Sequence, residues 1–282
     1  MGAEQTEYIS LRNDLLFHMV FTRNLAALKA LLAALLGLAE ARIDQIEVLN
    51  PMQYSEAASS KLTVLDLKVH LNGGSYILVE MQVRRFDFWT NRTLAYASRA
   101  VADQVKGEFD YGKLEPVIQI SIMNYSLFPE HKRFFAKYTP RDGEGFEYTD
   151  KLRFYVLDLT QIGAATDEQK RQGLVEWARA FRANSWAEVN EIDNSGVKEA
   201  AKTMQVIMTN PTEREMIRMR QDAEIDRRTE INSAERRGEQ RGVRMGIAQG
   251  KIDMARGMKH EGIDPAVIAK ISGLTLEEIA AL

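Results

Sequence analysis

Asp66, Glu80 and Gln82 are the residues whose types and spacing point to chemistry. Asp66 lies in the run KLTVLDLKVH (61–70) and Glu80 in SYILVEMQV (75–83), β-rich segments separated by Leu71 and Asn72-Gly73-Gly74. That turn chemistry marks a hairpin. Side chains alternate along a strand, so Tyr76, Leu78, Glu80 and Gln82 share one face, while Ile77, Val79, Met81 and Val83 share the other. Asp66 stands with Val64 and Lys68 on the first strand. Register decides whether the acids meet. A two-residue turn at Asn72-Gly73 opposes Asp66 to Val79 and sends the acids to opposite faces. A three-residue loop opposes Leu71 to Ser75 and Asp66 to Glu80, with Cβ atoms roughly 4.5–5.5 Å apart. Two successive glycines suit the three-residue loop and its left-handed position.

Two facing carboxylates repel, so one must be protonated or a cation must sit between them. A hard divalent ion is the economical answer, because Mg²⁺ is commonly held by one or two carboxylates plus substrate phosphate. Such an ion polarises a phosphodiester and acidifies its bound water. Gln82, one step along the face of Glu80, can orient that water but cannot act as a base. The competing arrangement pairs Asp66 with Lys68 or an arginine and leaves Glu80 on a solvated sheet face.

The elements that must position these residues follow from periodicity. Asn13 and Asp14 can each cap a helix carrying Phe17 and Phe21, and the apolar run Leu25 to Leu38 reads as a buried second helix. Strands are expected near 43–49, ended by Pro51, and at 115–123, 134–138 and 152–159. Residues 89–106 and 167–183 are expected as helices. In the first of these, Leu94, Ala97, Val101 and Val105 form an apolar stripe, opposite Arg92, Tyr96, Arg99 and Asp103. This order indicates an α/β fold with a mixed sheet flanked by helices.

Composition narrows the chemistry further. The 282 residues contain no cysteine and four histidines, which disfavours thiolate or histidine-rich zinc sites and excludes a cysteine nucleophile. The most apolar segment is too short to span a bilayer and contains Lys29, and Glu4 and Glu7 stand where a signal peptide needs positive charge. A soluble, cytoplasmic protein without a membrane partner is expected. The net charge of −3 belongs to residues 1–204, because residues 205–282 carry 13 basic and 13 acidic residues. The expected domains are therefore 1–204 and a charged helical arm, 205–282. In the arm Gly238, Gly242, Gly246 and Gly250 recur every fourth residue, suggesting either close helix–helix approach or a weak, broken helix. Asp264 with Pro265, Gly273, and the Thr275/Glu278 capping box delimit two short terminal helices. These C-terminal helices could support a homo-oligomer.

Taken in order, NDLLFHMVF (13–21), the Asp66 strand, VEMQV (79–83) and NRTLAYASRAVADQVKGEFDYGKLEPVIQISIM (91–123) resemble the PD-(D/E)XK nuclease superfamily, in its branch of transposases and recombination-promoting nucleases. The glycine-punctuated helix and the GLTLEEIAAL ending are similar to that branch's C-terminal tails. The resemblance implies a restriction-endonuclease-like α/β core with a helical C-terminal extension. It also implies Mg²⁺ or Mn²⁺ held by Asp66, Glu80 and the backbone carbonyl of Met81. Gln82 matches the position where many members carry lysine, a charge that Lys68 could partly replace. Asp14 matches an acid of the opening helix motif, either supporting the metal shell or capping its helix. Arg92, Tyr96 and Arg99 match recurrent polar positions suited to phosphate. Gln104, Gly107 and Tyr111 match as a structural turn. The expected function is a metal-dependent DNA endonuclease. The alternative is a catalytically inactive, nuclease-derived module that binds DNA or protein, favoured by Gln82 in the lysine position and by the net charge.

Overall fold

Asn13 accepts the Leu16 N–H at 2.9 Å and caps α1 (Asp14–Arg23), and Asn24 accepts the Ala27 N–H at 2.9 Å to cap α2 (Leu25–Leu36). Gly37, at φ 71°, ends α2 in the left-handed conformation that favours glycine. The chain then builds β1 (Ile46–Leu49), β2 (Leu67–Leu71), β3 (Ser75–Gln82), α3 (Trp89–Ala102), β4 (Val117–Met123), β5 (Phe135–Tyr138) and β6 (Leu152–Asp158). It finishes with α4 (Asp167–Arg171), α5 (Leu174–Arg182), α6 (Trp186–Asn190), α7 (Ser195–Thr209), α8 (Pro211–His260), α9 (Pro265–Ser272) and α10 (Leu276–Ala280). The computed structural model describes residues 7–49, 67–72, 74–105, 107 and 110–282. Asp66, Val64, Pro51 and Gly73 lie outside the described residues, as does the first part of the predicted 61–70 strand.

The six strands lie in the order β1-β2-β3-β4-β6-β5. The β3–β4 and β4–β6 pairs are parallel and the others antiparallel, which makes the mixed sheet that the sequence predicts. Every residue of β4 is buried, as befits a strand covered on both faces. One face packs Val69, Ile77, Val79, Met81, Ile120 and Ile122 against α1, α2, α5 and α7. The other face turns Leu78 and Val117 toward Ala97 and Ala100 of α3.

Three expectations need correction. The helix predicted over 167–183 divides at Gln172-Gly173, because Gly173 takes φ 76° between α4 and α5. The helix predicted over 89–106 stops at Ala102, and its buried stripe is Trp89, Thr93, Ala97 and Ala100, with Leu94 exposed. Small residues let α3 sit close over the sheet, so packing distance outweighs raw hydrophobicity in choosing the inward face. Finally, α8 is an unbroken 50-residue helix, and a Cβ added at Gly238, Gly242, Gly246 or Gly250 would meet nothing within 4 Å. Neither a break nor a close approach within the described chain accounts for these four glycines.

Two compact units are formed, residues 1–218 and 219–282. Within the first, α7, which contains the predicted 204/205 boundary, buries Met204, Ile207 and Met208 in the main core. In the second, Ala255, Ile268 and Ile279 make a small core, with Asp264 and Thr275 capping α9 and α10 as their sequence signals indicate. No single helix among the described residues is long and apolar enough to cross a membrane.

Gly196 and the α8 glycines give opposite expectations for the same substitution. A Cβ at Gly196 would collide with the Ala30 methyl and come within 3.0 Å of the Trp177 ring. Gly196→Ala should therefore cost about 1–3 kcal/mol through overpacking, whereas Gly238→Ala should stabilise α8 by up to about 1 kcal/mol. Thermal unfolding followed by circular dichroism reads both, and equal effects would contradict this packing.

Candidate active site

The site begins with the β2–β3 turn. Leu71 pairs with Ser75, the register of the three-residue loop, and the Gly74 N–H donates to the Leu71 carbonyl at 3.0 Å. The left-handed position falls on Asn72 at φ 53°. Its side-chain oxygen accepts the N–H groups of Asp44 and Gln45 at 2.8 and 3.1 Å, while its amide donates to the Arg42 carbonyl. An asparagine therefore serves both the backbone conformation and the attachment of the turn to the preceding segment. The described pairing runs from Leu71–Ser75 to Leu67–Val79, leaving Glu80 as the next position on β3.

Glu80 is 3% exposed and points to the α3 side, with Ser121 of β4 as its strand neighbour. Its Oε1 lies 3.7 Å from an Arg92 terminal nitrogen, and its Oε2 has no hydrogen-bond partner among the described residues. Burial raises the carboxyl from its ordinary 4.5 to about 7, and the Arg92 guanidinium opposes that rise only in part. Arg92 is itself held by three rings: Phe86, Trp89 and Tyr96 lie 5.9, 5.4 and 5.3 Å from its guanidinium carbon. Its Nε donates to the Tyr96 hydroxyl at 2.9 Å. The buried Trp89 in turn donates its indole N–H to Ser121 Oγ at 3.1 Å. Glu80, Arg92, Trp89 and Ser121 thus form one connected group on β3, α3 and β4.

Gln82 follows Glu80 on the same strand face, and its amide donates to the Arg84 carbonyl at 2.7 Å. Met81 turns its side chain into the opposite core, so only its backbone could serve a site on the Glu80 side. Lys68 is 7% exposed, opposite Leu78, with Nζ 5.7 Å from the Tyr76 ring centre. Asp14 occupies the first turn of α1, where its Oδ1 accepts the Leu15 N–H at 2.8 Å, and Asn13 provides the cap. Arg99 is exposed and faces Asp103 at 3.6 Å. Arg92 and Tyr96 are drawn inward around Glu80, so this part of α3 is not the fully solvated polar face suggested by periodicity. No cluster of three His, Asp or Glu able to hold a metal occurs among the described residues.

Sequence reasoning overlooked Phe86, Trp89 and Ser121. Part of the signal was available: Trp89, Arg92 and Tyr96 are spaced by three and four residues, so they project from one side of a helix. Ser121 gives no such local signal, because only the parallel β3–β4 register brings it beside Glu80.

A mixed sheet flanked by helices, with a buried acid on a central strand, is the α/β restriction-endonuclease-like fold. The family comparison specifies the class further. Residues 11–234 match the PD-(D/E)XK nuclease family transposases, and the chain belongs to that family. No curated protein and no solved structure gives a significant match.

The raised Glu80 value has a direct thermodynamic consequence. Between 4.5 and about 7 the folded state binds more protons than the unfolded state, so stability is full at low pH and falls as pH rises through about 7. The loss should be on the order of 3 kcal/mol, or roughly 6–12 °C in Tm. Glu80→Gln should remove this part of the decline when unfolding is measured from pH 4 to 8 in chelator. Identical pH profiles for the two proteins would contradict the buried-acid assignment.

Proposed function

We propose that this family member is a metal-dependent DNA endonuclease that hydrolyses phosphodiester bonds. The carrying observation is Glu80: an acid 3% exposed with one buried oxygen lacking a hydrogen-bond partner among the described residues. Such an oxygen fits a hard cation, and the absence of cysteine suits oxygen ligation by Mg²⁺ or Mn²⁺. Asp66 is the proposed second ligand. It immediately precedes Leu67, and continuing the Leu67–Val79 pairing by one step would oppose it to Glu80, supporting the shared site. The Met81 carbonyl is the proposed third ligand. When bound, the ion supplies Lewis-acid polarisation of the phosphodiester and an acidified water.

The chain's own residues then divide the remaining work. Gln82 orients the attacking water through its amide but does not deprotonate it. Arg92 compensates Glu80 in part and, at the edge of the site, offers charge to a phosphate. Lys68 supplies positive charge along the neighbouring strand, and Tyr96 and Arg99 extend the phosphate-contacting side of α3, whereas Asp14 serves the first turn of α1, which packs on the sheet face opposite Glu80. Protein and plasmid incubated with Mg²⁺ should give nicked or linear DNA, and Asp66→Ala or Glu80→Ala should reduce cleavage by at least 10²-fold. Undiminished cleavage by Asp66→Ala would refute the ligand assignment. A nuclease-derived binding module would instead retain DNA without cutting it.

A further inference from the structure

A cavity of about 250 Å³ lies beside the Glu80 group, between the first turns of α3 and the strands β4 and β6. Trp89, Phe128, Tyr138 and Phe154 provide its aromatic lining, while Thr90 and Leu94 are exposed on α3. Ser121 lines it as well and is the strand neighbour of Glu80. The Trp89 ring therefore separates two environments: the Arg92 guanidinium stacks over it, and the cavity opens against it.

We propose that this cavity receives one nucleobase of the substrate strand, unstacked from its neighbours. This rests on the nuclease reading of Glu80 and adds a base-binding subsite to it. The volume falls below the roughly 300–1,000 Å³ typical of drug-sized ligand sites, which suits a single planar ring system. Aromatic walls bind bases through their π-faces irrespective of base identity. The Ser121 hydroxyl, which accepts from Trp89, still has its own proton to donate to a base edge. Charge also favours a nucleic acid over an apolar peptide. The Arg92 guanidinium carbon lies 5.4 Å from the centre of the Trp89 ring that lines the cavity. A strand with its base against Trp89 would thus have a cation near a flanking phosphate. An enzyme that gathers a base beside its reacting phosphate gains positional control over the backbone, at the cost of unstacking that base.

The test compares fluorescein-labelled octathymidylate with an abasic octamer of equal phosphate number, each titrated into the full chain in Ca²⁺ and read by anisotropy. Wild type should bind the thymidylate about tenfold more tightly, the scale of one stacked base. Thr90→Trp, which fills the mouth from an exposed helix position, should bring the two affinities together while leaving that for the abasic octamer unchanged. Phe128→Leu, which removes one aromatic wall, should lower the ratio as well. A ratio unaltered in both variants, equal wild-type affinities, or no binding of either oligomer overturns the proposal. Equal wild-type affinities are also the outcome expected if a peptide side chain is the true occupant. Plasmid cleavage by wild type is scored separately. Cleavage with an unaltered ratio leaves the nuclease reading standing without this subsite, whereas a ratio that collapses in the variants without any cleavage leaves the subsite standing without the nuclease.

Discussion

Removing the Glu80 carboxylate from water costs several kcal/mol for the ionised form, and a single guanidinium at 3.7 Å repays only part of that. The surrounding structure is arranged around this imbalance. Glu80 is 3% exposed on β3, an interior strand of the sheet. α3 closes over the same face, with Ala97 and Ala100 permitting a close approach to Leu78 and Val117. The acid can be neutral, paired more fully, or bound to a cation. With its carboxyl raised to about 7, small environmental changes select among these states near neutral pH.

Arg92 explains why α3 begins with aromatic residues. A guanidinium left free to swing could take the place of a cation at Glu80, whereas three stacked rings and the Tyr96 hydroxyl restrict it to the edge of the carboxylate. Trp89 carries the constraint into the sheet through Ser121. Positioning and electrostatics are consequently the same interaction: loosening the ring cage would both misplace the arginine and alter the charge on Glu80.

The parts legible in the sequence are those governed by local chemistry. Asn-Gly-Gly pointed to the three-residue register that β2 and β3 adopt, and Asn72 is left-handed there, with anchoring side-chain bonds that glycine could not make. Caps at Asn13, Asp264 and Thr275 are equally local. The inward face of α3 was misassigned because hydrophobic weight favours Leu94 while the gap above Leu78 accepts alanine. Arg92 was correctly separated from the apolar stripe. What periodicity could not convey is that the sheet beneath α3 carries a buried acid, so a polar helix side is also an interior side. Trp89 and Ser121 meet only through the β3-α3-β4 connection, a relation beyond any helical or strand period.

Gln82 and the net charge of −3 take on a different meaning in this setting. The resemblance places lysine at the Gln82 position in many relatives, and its replacement removes a full charge from the strand carrying Glu80. Positive charge nevertheless remains on neighbouring elements: Arg92 on α3 and Lys68 on β2. A charge on a separate helix acts through distance and burial, so it can offset an acid without being positioned to accept a proton from water. In the proposed nuclease, water activation would depend more heavily on bound metal than on a side-chain base, with Gln82 contributing direction alone. Whole-chain charge is a weak guide to such a site, since exposed charges are screened within about 10 Å at ordinary ionic strength and a buried acid near a guanidinium is not. The acidic sum limits nonspecific attraction to DNA, while in the proposed nuclease a phosphate near Glu80 would answer to the charges gathered there.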